Sequence, residues 1–246
     1  MEIPKDHPRY RSLKERHKLI ELFREGIVAE AGLIAHGRGE AFDYLLGERT
    51  TPEAELAEKV AVAMLLLAER PIISVNGNSV ALAAEKIIEL AEILNAKIEV
   101  NLFYRTPERE KKIEAYLLAK GAKEVLGTDE RFFARIPKLK SARGKVDKRG
   151  ILAGDVILVP LEDGDRTEAL VALGKKVIAI DLNPLSRTSQ KATISIVDNI
   201  TRAIPNMINF ALDMRSLPKK DLERIVNSFD NQSNLKKIER RMRKGI

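Results

Sequence analysis

The 246-residue chain is 44% hydrophobic and 32% charged, carries a formal net charge of +7, and contains neither cysteine nor tryptophan. That length buries a core as one large domain or two small ones, and the missing cysteines exclude disulfides, zinc ribbons and thiol nucleophiles. No apolar run approaches the roughly 20 residues that span a bilayer, and the opening Met-Glu-Ile-Pro-Lys-Asp-His lacks the apolar stretch of a secretory signal, so a cytoplasmic protein without membrane partners is expected. Few labile residues among many Lys, Arg and Glu also suit a thermophilic source. The charge is local: +7 between Arg131 and Gly150 and +5 between Lys219 and Ile246 leave −5 for the rest of the chain. Two basic segments on an acidic body argue against a broad nucleic-acid face, although a basic nucleic-acid-binding protein using those segments is the second reading.

In chain order, Ser12 and Glu15 have capping-box spacing, and Leu19, Leu22, Phe23 and Ile27 recur at helical intervals. Gly26, Gly32, Gly37 and Gly39 then predict broken helix and loop as far as Gly39. Thr51-Pro52-Glu53 starts a helix, which is apolar through 61–68. From Pro71 the pattern changes to strands at 72–75, 97–102, 155–160, 176–181 and 193–197 alternating with helices, with a short strand at 125–126. Gly121 suits a left-handed cap, and Pro205 interrupts the helix predicted at 201–214. This alternation predicts an α/β fold: a Rossmann-like, mostly parallel sheet with helices on both faces and a helical N-terminal segment. The expected organisation is a single domain over 1–246, with a largely helical 1–70, a core at 71–214 and a helical tail at 215–246.

Ligands of open parallel sheets bind beyond the carboxyl ends of the strands. Three such ends carry polar turns: 76–79, 161–165 and 181–183. In the third, Asp181 sits at a strand tip where a ribose hydroxyl can be gripped, and Ser186, Arg187, Thr188 and Ser189 follow as closely spaced donors. On these residues alone a capped turn and a nucleotide site both remain open. The Asn-Gly-Asn-Ser turn at 76–79 precedes a helix N-terminus, which attracts anions, or is a plain turn. Arg38, between two glycines, can fork onto a phosphate or carboxylate, as can Arg16; an ion pair is the plainer role for each.

Several chemistries are excluded. There is no P-loop and no nucleophile elbow, and His36-Gly37-Arg38-Gly39 neither follows a strand nor has the third glycine of a dinucleotide fingerprint. His7, His17 and His36 lack metal-ligand spacing, so no dedicated metal site is expected. Mg²⁺ is expected to arrive with nucleotide phosphates, near Asp155, Asp163 or Asp165.

Longer blocks carry more information. Pro-Lys-Asp-His-Pro-Arg-Tyr-Arg-Ser-Leu, Ala-His-Gly-Arg-Gly-Glu-Ala-Phe-Asp-Tyr-Leu-Leu-Gly-Glu, Ser-Val-Asn-Gly-Asn, Val-Asn-Leu-Phe-Tyr-Arg-Thr, Asp-Leu-Asn-Pro-Leu-Ser-Arg-Thr-Ser and Val-Asp-Asn-Ile-Thr-Arg-Ala-Ile-Pro-Asn-Met cover nearly the whole chain. Together they resemble the archaeal phosphopantothenate synthetase family, the 4-phosphopantoate–β-alanine ligases. The resemblance implies a homodimer and an ATP-dependent ligase of the coenzyme A pathway that joins 4-phosphopantoate to β-alanine and releases AMP and diphosphate. It places nucleotide contacts on Arg16, Arg38, Asp181, Leu182, Asn183, Arg187, Thr188, Asn199, Ile200 and Thr201. An acyl-adenylate route would put Arg38 and Arg187 where charge develops in the transition state. The phosphate of the acid needs a second basic site, for which the candidates are Asn76, Gly77, Asn78, Arg105 and the basic stretch with Lys138, Lys140, Arg143 and Lys145. That stretch is expected as a partly disordered loop closing over the site.

Overall fold

The computed structural model describes residues 3–137 and 139–245; Lys138 lies outside them. Three helices lead: α1 (Tyr10–Arg24), α2 (Glu30–Leu46) and α3 (Pro52–Leu67). There follow β1 (Pro71–Val75), α4 (Gly77–Ile93), β2 (Lys97–Val100), α5 (Pro107–Ala119), and then β3 (Phe133–Arg135) and β4 (Lys145–Asp147). The second half continues with β5 (Val156–Pro160), α6 (Gly164–Ala172), β6 (Lys176–Ile180), α7 (Arg187–Lys191) and β7 (Ile194–Ile196). It closes with α8 (Ile200–Met214), α9 (Lys219–Asn227) and α10 (Asn231–Lys244).

The apolar runs pair into one parallel sheet ordered β2-β1-β5-β6-β7. β1 and β5 are buried at every residue, as continuous apolar strands are when both faces of a parallel sheet are covered. Successive residues divide between two cores. Ile73, Leu158, Ile178 and Ile180 join the larger one with α3, α4 and α8. Ile72, Ile157, Val159, Val177 and Ala179 join Leu170 of α6 with Ile136, Val146 and Ile151. The expected α/β architecture is thus present, with the chain reversing its direction of sheet growth between β1 and β5.

Five expectations need correction. Ser12 does not cap the first helix but lies inside α1, whose N-cap is Arg9. The glycines do not break the second helix: Gly32, Gly37 and Gly39 all lie within α2. Packing overrides propensity there, because a Cβ at Gly32 would lie 2.2 Å from Asn78 Oδ1. The basic stretch is not a disordered loop in its described part. It contains β3 paired antiparallel with β4, pinned by buried Ile136 and Val146, and several of its charges are paired with acids, as in Arg149 with Asp147 at 2.9 Å and Arg131 with Asp129 at 2.6 Å. The strand expected at 125–126 reduces to a single bridge from Leu126 to Glu99. Pro205 does not interrupt α8, which runs through it. Gly121, by contrast, takes the left-handed φ of +104° that its position predicts.

Candidate active site

The reversal between β1 and β5 leaves a crevice at the carboxyl ends of these strands, the place where such sheets bind ligands. Asn76 spans it. Its Nδ2 donates to Pro160 O and Leu161 O, both at 3.0 Å, while its Oδ1 accepts from Asn78 N and Ser79 N and caps α4. Gly77 is required behind it, since a Cβ there would meet Ile27 O at 2.3 Å and Arg109 Nη2 at 2.6 Å. The crevice widens into a cleft of about 530 Å³ between these turns, α2 and the loops after β6 and β7.

One end of the cleft is basic but closely balanced. Arg143, with its side chain 9% exposed, contacts Glu162 Oε1 at 2.6 Å and Asp163 Oδ2 at 2.7 Å. Glu162 also grips the fully buried Arg166, whose guanidinium donates to Ser74 Oγ at 3.1 and 3.2 Å. Arg109 donates to Ile27 O and Tyr104 O; burial and then the nearby charge of Arg143 lower its pKa. Two guanidiniums are thus held close together, Arg109 by backbone carbonyls and Arg143 by the carboxylates of Glu162 and Asp163. The start of α4, whose N–H groups at Asn78 and Ser79 are capped by Asn76, borders the same end.

At the other end, Asp181 accepts from Asn183 N at 2.9 Å and from the Ser186 hydroxyl. Burial raises its pKa against these bonds and the charge of Arg38. Both carboxylate oxygens are thus used within the turn, as the capped-turn reading requires, yet Asp181, Leu182 and Asn183 also line the cleft. Asn199 and Ile200 line it from the start of α8, with Asn199 Nδ2 donating to Glu15 at 3.2 Å and Asp43 at 3.4 Å. Glu40 lies on the α2 wall. Burial pushes its carboxyl up, but hydrogen bonds from Arg16 and Tyr44 outweigh that and hold it below the usual range.

The fold therefore brings Arg38, Asp181, Leu182, Asn183, Asn199 and Ile200 to one cleft with Asn76, Gly77, Asn78 and Arg143. The other candidates lie elsewhere. Arg16 stands behind the wall, 2.6 Å from Glu40. Thr201 donates to Glu15 at 2.7 Å, and Thr188 ties α7 to the β5 loop through Glu162 O at 2.9 Å. Arg187 is exposed and forks onto Asp165 and Glu168. Arg105 is directed inward, to Glu110, Lys145 O and Gly127 O. Lys140 and Lys145 are not in the cleft lining. Of the three aspartates considered for Mg²⁺, Asp163 lines the cleft, Asp165 pairs with Arg187, and Asp155 binds Glu69 N and Arg70 N at the opposite end of the sheet. Among the described residues no cluster of three or more His, Asp or Glu could hold a metal ion.

Sequence reasoning missed Arg109, which lines the cleft. A cation in the first turn of α5, the positive end of the helix dipole, is disfavoured without a reason, and that anomaly was the available signal for Arg109.

Residues 53–245 match the phosphopantothenate/pantothenate synthetase family. The chain belongs to this family. It is 55% identical to the 4-phosphopantoate–beta-alanine ligase of Thermococcus kodakarensis, over 96% of this chain and 90% of that protein. The ligase of the same name from Methanosarcina mazei is 54% identical over 95% of this chain and 91% of its own length. Among the described residues no helix is long and apolar enough to cross a membrane.

Proposed function

We propose that the chain is an ATP-dependent, AMP-forming ligase that condenses 4-phosphopantoate with β-alanine to 4′-phosphopantothenate in coenzyme A biosynthesis. The observation that carries the reading is one cleft with two unlike ends: the Arg109–Arg143 cradle beside the α4 N-terminus, and the Asp181–Asn183 turn facing Asn199. The substrates match this division. The phosphate of phosphopantoate takes the cradle and the nucleotide takes the other end, which brings the pantoate carboxylate toward the α-phosphorus between them.

In the first step a carboxylate oxygen bonds to the α-phosphorus and diphosphate leaves. In the second the β-alanine nitrogen bonds to the carbonyl carbon, the bond to the phosphate oxygen breaks, and AMP leaves. Arg38, on the α2 wall and near enough to Asp181 to act on its charge, is the cation assigned to the α-phosphate, where a preorganised donor is worth about 3–4 kcal/mol of barrier. Arg16 acts through Glu40, and Thr188, Arg187 and Thr201 support the walls. Mg²⁺ enters with the nucleotide, without dedicated protein ligands. A homodimer in the cytoplasm completes the proposal.

The test incubates the full chain with ATP, Mg²⁺, 4-phosphopantoate and β-alanine and separates the nucleotide products. AMP in step with phosphopantothenate is expected. ADP would refute the adenylate route, and absence of turnover with these substrates would refute the ligase.

A further inference from the structure

The two guanidiniums at the basic end of the cleft arrive from separate segments. Arg109 belongs to the first turn of α5, whereas Arg143 precedes β4 in a two-stranded hairpin that takes no place in the main sheet. A lone hairpin has little stability of its own, so its seat is set by what it touches. The two arginines are also close enough for the charge of Arg143 to lower the pKa of Arg109, and like charges push their supports apart.

Arg105 joins the two supports. Its side chain is 6% exposed and is absent from the cleft lining. Nε donates to Glu110, the residue after Arg109 on α5. Nη1 donates to Lys145 O at 2.7 Å, two residues beyond Arg143, and Nη2 donates to Gly127 O at 2.8 Å. One rigid planar group therefore spans the α5 arm, the hairpin arm and the loop after β2. Glu110, itself 3% exposed in its side chain, matches the charge, so this link adds no net charge to the basic end. The ring of Phe133 on β3 covers the guanidinium, its centroid 4.9 Å from Cζ.

Asn101 reinforces the hairpin side. Its Nδ2 donates to Lys145 O at 3.0 Å and to Arg143 O at 3.3 Å, while Arg143 Nη1 donates back to Asn101 O at 3.3 Å. The rest of the Arg143 guanidinium is committed as well, with Nη1 also on Glu162 and Nε facing Asp163. Among the described residues Nη2 has no hydrogen-bond partner and is not buried, which leaves it as the donor Arg143 offers the cleft. A donor limited to one atom depends strictly on where its backbone is held, since hydrogen bonds tolerate only a few tenths of an ångström.

We propose that Arg105 is a positioning residue for 4-phosphopantoate: it holds the arms that carry Arg109 and Arg143 at the separation at which both reach the substrate phosphate. This inference rests on the ligase reading above. Arg105 itself touches no substrate and acts through the two guanidiniums it aligns.

The experiment uses the full-length protein and Arg105→Lys, which keeps a positive charge opposite Glu110 but gives up the planar fork onto two carbonyls. The KM for 4-phosphopantoate should rise at least about tenfold, the worth of one charge-assisted hydrogen bond, while kcat and the KM for ATP stay within about threefold. Arg143→Lys should raise the same KM, and the double variant should be no worse than the worse single, because both act on one contact. A phosphopantoate KM within about threefold of the unsubstituted protein overturns the proposal. So does an equal change in the KM for ATP, which marks general loosening of the fold, or a double variant whose effects multiply. Should Arg105→Lys fail to fold, Arg105→Gln combined with Glu110→Gln, which strands no buried charge, takes its place; failure of both to fold also overturns the proposal. Absence of AMP formation by the unsubstituted protein would refute the ligase reading instead, and the calorimetric Kd of 4-phosphopantoate for the same variants would still decide on Arg105.

Discussion

Replacing Glu162 by glutamine should destabilise the protein far more than the loss of one hydrogen bond. Glu162 is 2% exposed in its side chain and divides its two oxygens between Arg143 and the wholly buried Arg166. Glutamine keeps the shape but sets an amide donor against one guanidinium and removes the charge from both. Arg143 retains Asp163 at 2.7 Å, whereas among the described residues Arg166 keeps hydrogen bonds only to the Ser74 hydroxyl. Leaving a buried ion without its partner costs about 3–5 kcal/mol, a large part of the 5–15 kcal/mol typical of a domain. With an m-value of about 3 kcal/mol/M, the urea midpoint should fall by roughly 1–1.7 M, measured at fixed protein concentration because association shifts apparent stability. Adding Arg166→Met removes the stranded charge, so the double variant should be more stable than Glu162→Gln alone, by a coupling energy that a double-mutant cycle reads directly. A midpoint within about 0.3 M of the unsubstituted protein, or a double variant no more stable than the single, would refute the reasoning.

Other predictions follow from separate contacts. Gly77→Ala should cost about 1–3 kcal/mol through overpacking and raise the KM for phosphopantoate, because its Cβ is driven against Ile27 O and Arg109 Nη2; denaturation and steady-state kinetics check both. Glu58 is fully buried, and burial, followed by the charge of Asp198, pushes its pKa up to about 9. The native state therefore holds a proton that the unfolded chain releases near 4.5, so stability falls as pH rises between these values. Glu58→Gln should remove that slope, leaving the variant better off relative to the unsubstituted protein at pH 8 than at pH 5 in urea melts. Asp181→Ala should raise the KM for ATP at least tenfold while changing the KM for phosphopantoate little, and normal ATP binding by this variant would displace the nucleotide from that turn. Arg187→Ala removes exposed pairs with Asp165 and Glu168 and should shift stability by less than about 1 kcal/mol; a large loss of kcat would instead place the guanidinium on the nucleotide.

Short-range signals in the sequence were reliable where the backbone alone decides the outcome. The apolar runs at 72–75, 155–160 and 176–181 appear as β1, β5 and β6, and the polar turns after them meet at the cleft, because strand burial and carboxyl-end turns are local consequences of pattern. Gly32 was misread for the opposite reason. Its place in α2 is decided by Asn78, which is 46 positions away in the chain, and no window of sequence contains both. The partners of Arg105 and Arg187 likewise lie across the fold or on a neighbouring helix, beyond what a local window shows. A guanidinium after a strand looks the same in sequence whether it faces a ligand or a buried carbonyl. Arg109 acquires its place beside Arg143 from what surrounds it, which periodicity does not encode.

The crevice is bridged by an Asn-Gly pair, the dipeptide most prone to deamidate, since Gly77 N offers little hindrance to attack on the Asn76 side chain. Here that amide is held by two donated and two accepted hydrogen bonds, which keep its carbon from swinging toward the following nitrogen. Should it hydrolyse, the new carboxylate would confront the carbonyls of Pro160 and Leu161 that the amide now serves, and the two halves of the sheet would be pushed apart at their shared edge.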